Sequence, residues 1–167
     1  MKIDKFKVCF GKKDVVYFIT FCVITLIACI FILFNEQYRA IAIFGILFII
    51  CEMMIFISTL LFKMVVENNC FRVRTRLGKK YEFNLSEIEG VFCIKRTGIK
   101  VGNYYSIKIY AKNHFFAITS KMDGFETLAE YILQMYINDE LYEDTISKYN
   151  IQQLKMYTSK KHSIAEI

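Results

Sequence analysis

The chain has 167 residues, of which 55% are hydrophobic, and its mean hydropathy is +0.33. This composition is too apolar for an average soluble domain, and the charged second half excludes a protein that lies in a membrane throughout. The formal net charge of +6 raises nucleic acid as a partner, but the basic residues cluster beside two apolar segments, where membrane topology accounts for them. We therefore expect no nucleic-acid partner.

Two uncharged or nearly uncharged segments are long enough to cross a bilayer as helices. They are residues 15–34, "VVYFITFCVITLIACIFILF", and residues 41–62, "IAIFGILFIICEMMIFISTLLF", and a span needs about 20 such residues. The first ends in bulky residues rather than at a small-residue cleavage site, so we expect it to be retained and not removed as a signal peptide. Because only "NEQYRA" separates the segments, residues 15–62 are predicted to form an antiparallel transmembrane hairpin.

The charges beside these segments predict how the hairpin is oriented. The linker between them has a single basic residue, Arg39, offset by Glu36. Since cytoplasmic flanks carry the excess of lysine and arginine, both termini are predicted to be cytoplasmic, with the hairpin in the inner (plasma) membrane. Residues 1–14 are then a basic cytoplasmic N terminus, and anionic lipids of the inner leaflet are expected partners. The flanking basic residues are Lys2, Lys5, Lys7, Lys12 and Lys13 before the hairpin, and Lys63, Arg72, Arg74, Arg76, Lys79 and Lys80 after it.

The second apolar segment contains an acidic residue, Glu52, near its middle. A charge there costs about 2.5 to 3.5 kcal/mol on insertion scales, so a partner is expected at the same depth. Thr25 on the first segment lies at a similar depth, and we expect a hydrogen bond between the two within the hairpin. The alternative is that Glu52 contacts a membrane-protein partner or a second copy of the chain. The hairpin would then be the working part, either of a small immunity protein that protects against a membrane-active toxin or of an accessory subunit of a transporter or channel.

In residues 63–139 the continuous apolar runs of the preceding segments give way to alternating apolar and polar residues. The alternating segments "CFRVRTR", "YEFNL", "SEIEGVFCIKR", "YYSIKIYAK" and "FFAITS" predict five antiparallel strands. Apolar residues then recur at helical spacing from Phe125 to Tyr136, after a capping-box-like start at Asp123 and Glu126. The fold class is therefore a membrane helical hairpin followed by an α+β cytoplasmic domain, an antiparallel sheet closed by a C-terminal helix. For residues 140–167 a short acidic helix and a flexible tail are predicted.

This order of elements resembles the bacterial pleckstrin-homology-like membrane proteins. The resemblance covers residues 64–137, through "VVENNCFRVRTRLGKKYEFNLSEIEGVFCIKR" and "SIKIYAKNHFFAITS" before the helix. It implies a sheet or barrel of seven strands, to which "KMVVENN" and a split "EGVFCIKR" could contribute the strands beyond five. It also implies a binding or scaffolding module for lipid headgroups or protein segments, without a catalytic motif.

The candidate ligand surface is basic. Arg72, Arg74 and Arg76 alternate on one strand face, and Lys79 and Lys80 continue it across the next turn, so that anionic lipid is the expected ligand. The competing interpretation is a solvated strand face, which Glu82 on the same face would favour. The sequence contains no phosphate-binding loop and no catalytic motif. Its two histidines and six cysteines do not have the spacing of metal ligands, and a reducing cytoplasm disfavours disulfides between the cysteines. The prediction is a non-enzymatic binding or regulatory module with no cofactor.

Overall fold

The computed structural model describes residues 5–98, 102–141 and 144–165. Four groups of residues covered by the predictions lie outside these ranges. They are residues 1–4 of the basic N terminus, 99–101 of the predicted domain 63–139, 142–143 of the acidic helix and 166–167 of the tail.

Two long helices form the hairpin. Helix α1 spans Lys12–Leu33 and helix α2 spans Arg39–Leu60, joined by a 3₁₀ turn at Glu36–Tyr38. Val15–Leu33 and Glu36–Leu60 are long and apolar enough to cross a membrane, with hydropathies of 2.9 and 2.8, and only 11% of each window is buried. An apolar core helix of a soluble protein would be mostly buried, and these helices are mostly exposed, which is compatible with membrane association.

Small and sulfur-bearing residues line the contact between the helices. Cys22, Cys29 and Ile49 are buried there, and the rings of Phe18 and Phe56 stack with their centroids 3.8 Å apart. A Cβ at Gly45 would lie 2.8 Å from the Cys29 sulfur, closer than carbon and sulfur tolerate. The backbones therefore approach closely because Gly45 lacks a side chain.

The first sheet has five strands in the order β4-β3-β2-β1-β8. Its neighbouring strands pair antiparallel, with β1 in register with β2 from Lys5 opposite Glu67 to Cys9 opposite Lys63. The helical hairpin is thus inserted between two paired strands, β1 and β2. The strands are β1 (Lys5–Phe10), β2 (Lys63–Glu67), β3 (Cys70–Arg74), β4 (Lys80–Asn84) and β8 (Met122–Asp123).

Strand β1 corrects the prediction that residues 1–14 are a separate basic segment. In "KFKVCF" the lysines point outward, while Val8 is fully buried and Phe6 packs against the core. The alternation is only six residues long, and its partner strand follows more than fifty residues later. Local pattern therefore could not reveal the pairing.

The second sheet has three antiparallel strands, β5 (Ile88–Gly98), β6 (Gly102–Ala111) and β7 (His114–Thr119), in that order. Together with β3 and β4 they confirm the five predicted strands. Each sheet keeps its own hydrogen-bond ladder within the described residues, so the antiparallel sheets are present but a closed barrel is not.

Helix α3 (Phe125–Ile137) covers the sheets with the predicted apolar stripe, and Leu128 and Ala129 are fully buried. Its N-cap is Gly124, in the left-handed conformation with φ 82°, and no side chain caps the helix. The predicted capping box is therefore wrong. Asp123 lies one residue before the N-cap, in strand β8, where its backbone is opposite Cys9.

Helix α4 (Lys148–Ala165) replaces the predicted acidic helix and loose tail. Ile151 and Leu154 on it are buried in the core. Just before it, the Val91 N–H donates to the Thr145 carbonyl at 2.8 Å, so residues 145–146 extend the edge of β5. The helix was missed because its polar residues outnumber these two core anchors.

Candidate functional site

The candidate site lies on the outer face of the five-stranded sheet. Strand alternation directs Met64, Phe71 and Val73 into the core, so the intervening charged residues face outward. Lys63 is directly opposite Arg74, and Arg74 is directly opposite Lys80. We call these three exposed cations the basic row.

The three charges of the basic row are close together and uncompensated. Adjacent strands are about 4.8 Å apart, so the three side chains are neighbours. Across the described parts of the chain, no carboxylate forms an ion pair with any of them. Lys63, Arg74 and Lys80 also line a depression of about 480 Å³ on this face, together with Arg72 and its ion-pair partner Glu82. An anion over this depression would meet all three charges.

The next two rows on the same face, one with Arg72 and Glu82 and one with Lys5, Glu67 and Cys70, are in contrast internally paired. The Arg72 guanidinium lies 3.1 Å from Glu82 and 3.5 Å from Glu67, and Lys5 lies 2.7 Å from Glu67. Arg72, predicted as a ligand residue, therefore has its charge offset by two carboxylates. Glu82, which the strand pattern placed on this face, is one of these two carboxylates, and Glu67 is the other.

The same contacts shift the pKa values of these groups. Hydrogen bonds from the Cys70 thiol and from Arg72 lower the pKa of Glu82, and the hydrogen bond and charge of Lys5 lower that of Glu67. Loss of solvent, followed by the nearby Glu82 carboxylate, raises the pKa of the Cys70 thiol. At neutral pH Glu82 and Glu67 are consequently ionised, and the Cys70 thiol is protonated.

Two further predicted residues, Arg76 and Lys79, lie on the turn that joins β3 to β4. The Thr75 N–H donates to the Lys79 carbonyl at 2.8 Å, and the Gly78 N–H donates to the Thr75 carbonyl at 2.9 Å. Both basic side chains are exposed. The β3–β4 turn, Thr75–Lys79, thus extends the basic surface beyond the end of the strands.

The basic row lies at the end of the sheet to which the hairpin is attached. Helix α2 ends at Leu60 and β2 begins at Lys63, so at most about 10 Å of chain separates them. The Asn68–Asn69 turn lies at the opposite end of β2, about 13 Å farther along the strand. The strand pattern predicted Arg74, Arg76, Lys79 and Lys80 as residues of this surface. Lys63 was predicted only as one of the charges that orient the hairpin, and its register opposite Arg74 assigns it to the site.

The predicted hydrogen bond between Glu52 and Thr25 is not present. The Thr25 hydroxyl donates to the Phe21 carbonyl of its own helix at 2.8 Å, which satisfies it locally. Glu52 is half-buried, and among the described residues it has no hydrogen bond or ion pair.

The described residues contain no cluster of three or more histidine, cysteine or acidic side chains that could hold a metal ion. No family model, curated protein or solved structure matches the chain. The function is therefore argued from the geometry of the basic surface.

Proposed function

We propose that this protein is a non-enzymatic binding module anchored in the plasma membrane. In this proposal the α1–α2 hairpin crosses the bilayer twice with both termini cytoplasmic, and the β domain binds the headgroups of anionic lipids in the cytoplasmic leaflet. The observation that carries the proposal is the uncompensated basic row, Lys63, Arg74 and Lys80, at the hairpin end of the sheet.

The hairpin supports membrane anchoring through its surface. Apolar side chains are exposed around both helices, among them Phe21, Phe31, Phe44 and Phe48. Such a surface is unfavourable in water and favourable in hydrocarbon. The excess of basic residues outside the hairpin supports cytoplasmic termini.

Electrostatics support headgroup binding. Three like charges on adjacent strands repel one another, and a phosphate placed over them would remove that repulsion. Each basic residue near an anionic leaflet contributes about 1 kcal/mol of attraction. The paired Arg72 row shows the alternative arrangement, in which acids on the same face already balance the charge.

A pleckstrin-homology-like domain remains part of the proposal. Without the two-residue β8, the described strands number seven, as the resemblance implies, and α3 follows them. The strands beyond the five predicted ones are β2, from "KMVVENN", and β1, whereas "EGVFCIKR" is not split and lies in the single strand β5. The domain includes β1, so a fragment beginning at Met64 would lack an internal strand. The full-length protein is the proper material for tests.

Lipid selectivity of the full-length protein in bilayers tests the proposal. Electron paramagnetic resonance of spin-labelled lipids measures the fraction immobilised at the protein, and phosphatidylglycerol is compared with phosphatidylcholine. The wild type should prefer phosphatidylglycerol, and Arg74→Gln with Lys80→Gln should lose most of that preference. The matched control removes two exposed charges from α4, Lys148→Gln with Lys155→Gln, and should retain it. Equal preference in the wild type and the Arg74/Lys80 variant would reject headgroup binding by this row.

A further inference from the structure

An apolar side chain is held in solvent at the tip of the β3–β4 turn. Leu77 is 82% exposed, and the two backbone hydrogen bonds of the turn fix its position. Gly78 beside it has φ 78°, and nothing lies within 4 Å of where its Cβ would be. The turn is therefore closed by its own hydrogen bonds, and the space around Gly78 at its tip is open.

The surroundings of Leu77 connect it to the end of the apolar hairpin. Leu77 lines a hollow of about 440 Å³ together with Phe62, which follows the last residue of α2 by two positions. Phe115 of β7, which is 54% exposed, lines the same hollow. Phe62 itself is buried, so the exposed apolar side chains at this hollow are Leu77 and Phe115, close to where the chain leaves α2.

Basic residues flank the apolar tip on both sides. Arg76 precedes Leu77 and Lys79 follows Gly78, and neither forms an ion pair with a described carboxylate. An apolar residue between cations is the arrangement that suits a membrane interface, where the apolar group enters the acyl boundary and the cations meet phosphates.

We propose that the β3–β4 turn inserts Leu77 into the cytoplasmic leaflet, with Arg76 and Lys79 at the level of the lipid phosphates. This inference rests on the proposed membrane anchoring and deepens it. The domain then has a membrane contact besides its two covalent connections to the hairpin. That contact fixes its tilt and holds the basic row at the headgroups. A membrane fits this surface better than a protein partner, because the hollow that Leu77 and Phe115 line is also lined by Phe62, two residues after the end of the proposed membrane-crossing helix α2.

The absence of tryptophan from the sequence allows a direct test. Leu77→Trp introduces a single tryptophan whose emission reports contact with lipid. In bilayers containing lipids brominated on their acyl chains, this emission should shift to shorter wavelength and lose most of its intensity.

The matched control is Ile137→Trp. Ile137 is also apolar and is 66% exposed, but it ends α3 near Glu140, which Asn69 contacts at the opposite end of the sheet. Its emission should remain at the wavelength of a water-exposed indole and be insensitive to brominated lipid. Equal quenching of the two tryptophans, or none at either position, would overturn the insertion.

A second measurement uses the wild-type turn without a probe. Trypsin cleaves after Arg76 and Lys79, and insertion should protect both bonds in bilayers, whereas Leu77→Asp should expose them. Equal cleavage rates in the two proteins would overturn the proposal.

Failure of insertion is distinguishable from failure of headgroup binding, because the Leu77→Trp variant reports both tryptophan quenching and lipid preference. Unquenched emission from a variant that still prefers phosphatidylglycerol rejects only the insertion. Quenched emission from a variant that has lost this preference rejects only the headgroup site.

Discussion

Among single residues, two glycines have nearly the same positive φ angle for different reasons. Gly124 has φ 82° and Gly78 has φ 78°. A Cβ at Gly124 would overlap the Lys7 carbonyl oxygen, whereas one at Gly78 would meet nothing. The first glycine permits a close approach to β1, and the second permits only a turn.

Alanine at these positions should therefore have unequal effects. Gly78→Ala should cost about 1 to 2 kcal/mol of folding stability, the penalty of a left-handed conformation alone. Gly124→Ala adds a backbone overlap and should cost more than about 3 kcal/mol. Denaturant unfolding of the purified proteins, followed by the β-sheet circular dichroism signal, measures both. Equal losses would show that the approach of Gly124 to Lys7 is not part of the folded state.

Glu67 makes stability depend on pH. Its pKa is lowered chiefly by the hydrogen bond from Lys5 and by that lysine's charge. Because the folded pKa lies below the unfolded one, the stabilisation is complete above the ordinary glutamate pKa of about 4.3 and is lost as the pH falls through the folded value.

Thermal unfolding at pH 7 and pH 3 should show a smaller decrease in Tm for Glu67→Gln than for the wild type. Lys5→Gln with Glu67→Gln should behave like the single variant, because the pair is already broken. An unchanged decrease in Glu67→Gln would assign acid sensitivity to other groups, such as Glu82, whose pKa is also lowered.

At the scale of elements, Asn150 attaches α4 to the edge of β5. Its side-chain carbonyl accepts from the Cys93 N–H at 3.0 Å, and its amide donates to the Val91 carbonyl at 3.2 Å. Asn150 is buried. One side chain thereby satisfies a donor and an acceptor of an edge strand that would otherwise be open to pairing with another chain.

Asn150→Leu keeps the volume but leaves both backbone groups unsatisfied, which costs about 1 to 3 kcal/mol for each group. We expect lower stability and faster hydrogen exchange at the Cys93 amide, measured by mass spectrometry. Gln152→Leu, on an exposed position of the same helix, is the control and should leave that amide protected. Unchanged exchange in Asn150→Leu would contradict the role given to this side chain.

The sequence predicted the elements whose pattern is local. Both apolar helices, five strands and the buried stripe of α3 are encoded by periodicity within each segment. Strand β1 and helix α4 were missed because their contacts are distant in sequence. Val8 is buried against strands that begin at Lys63, and Asn150 bonds to residues 57 and 59 positions away. The same distinction holds for the basic row. Arg74 and Lys80 could be predicted because they lie on the consecutive strands β3 and β4, whereas Lys63 is placed beside Arg74 only by the register of β2 with β3.

At the scale of the whole molecule, the hairpin is inserted between β1 and β2, so a single sheet receives the chain before and after it. Both connections leave the same end of the sheet, with Phe10 preceding α1 and Phe62 following α2. If the hairpin spans the bilayer, the domain must lie on the side where both connections emerge.

Cysteine labelling in intact cells checks this topology. A membrane-impermeant maleimide should modify Gln37→Cys, on the turn between the helices, because that turn is predicted to be external. The same reagent should leave Gln152→Cys, at an exposed position of α4, unmodified until the membrane is opened. Labelling of Gln152→Cys from outside intact cells would reverse the orientation and reject the cytoplasmic site.

The proposed function depends on recognition of anionic headgroups by the charges of the basic row, Lys63, Arg74 and Lys80. This recognition is tested by the salt dependence of lipid selectivity in the full-length protein and in the variant with all three residues changed to glutamine. Raising the ionic strength from about 0.1 M to about 1 M shortens the screening length from about 10 Å to about 3 Å. The wild-type preference for phosphatidylglycerol should be strong at low salt and fall steeply, whereas the triple variant, which keeps Arg76 and Lys79, should show a weaker preference that falls less steeply. A triple variant with the selectivity and salt dependence of the wild type would contradict the proposed recognition.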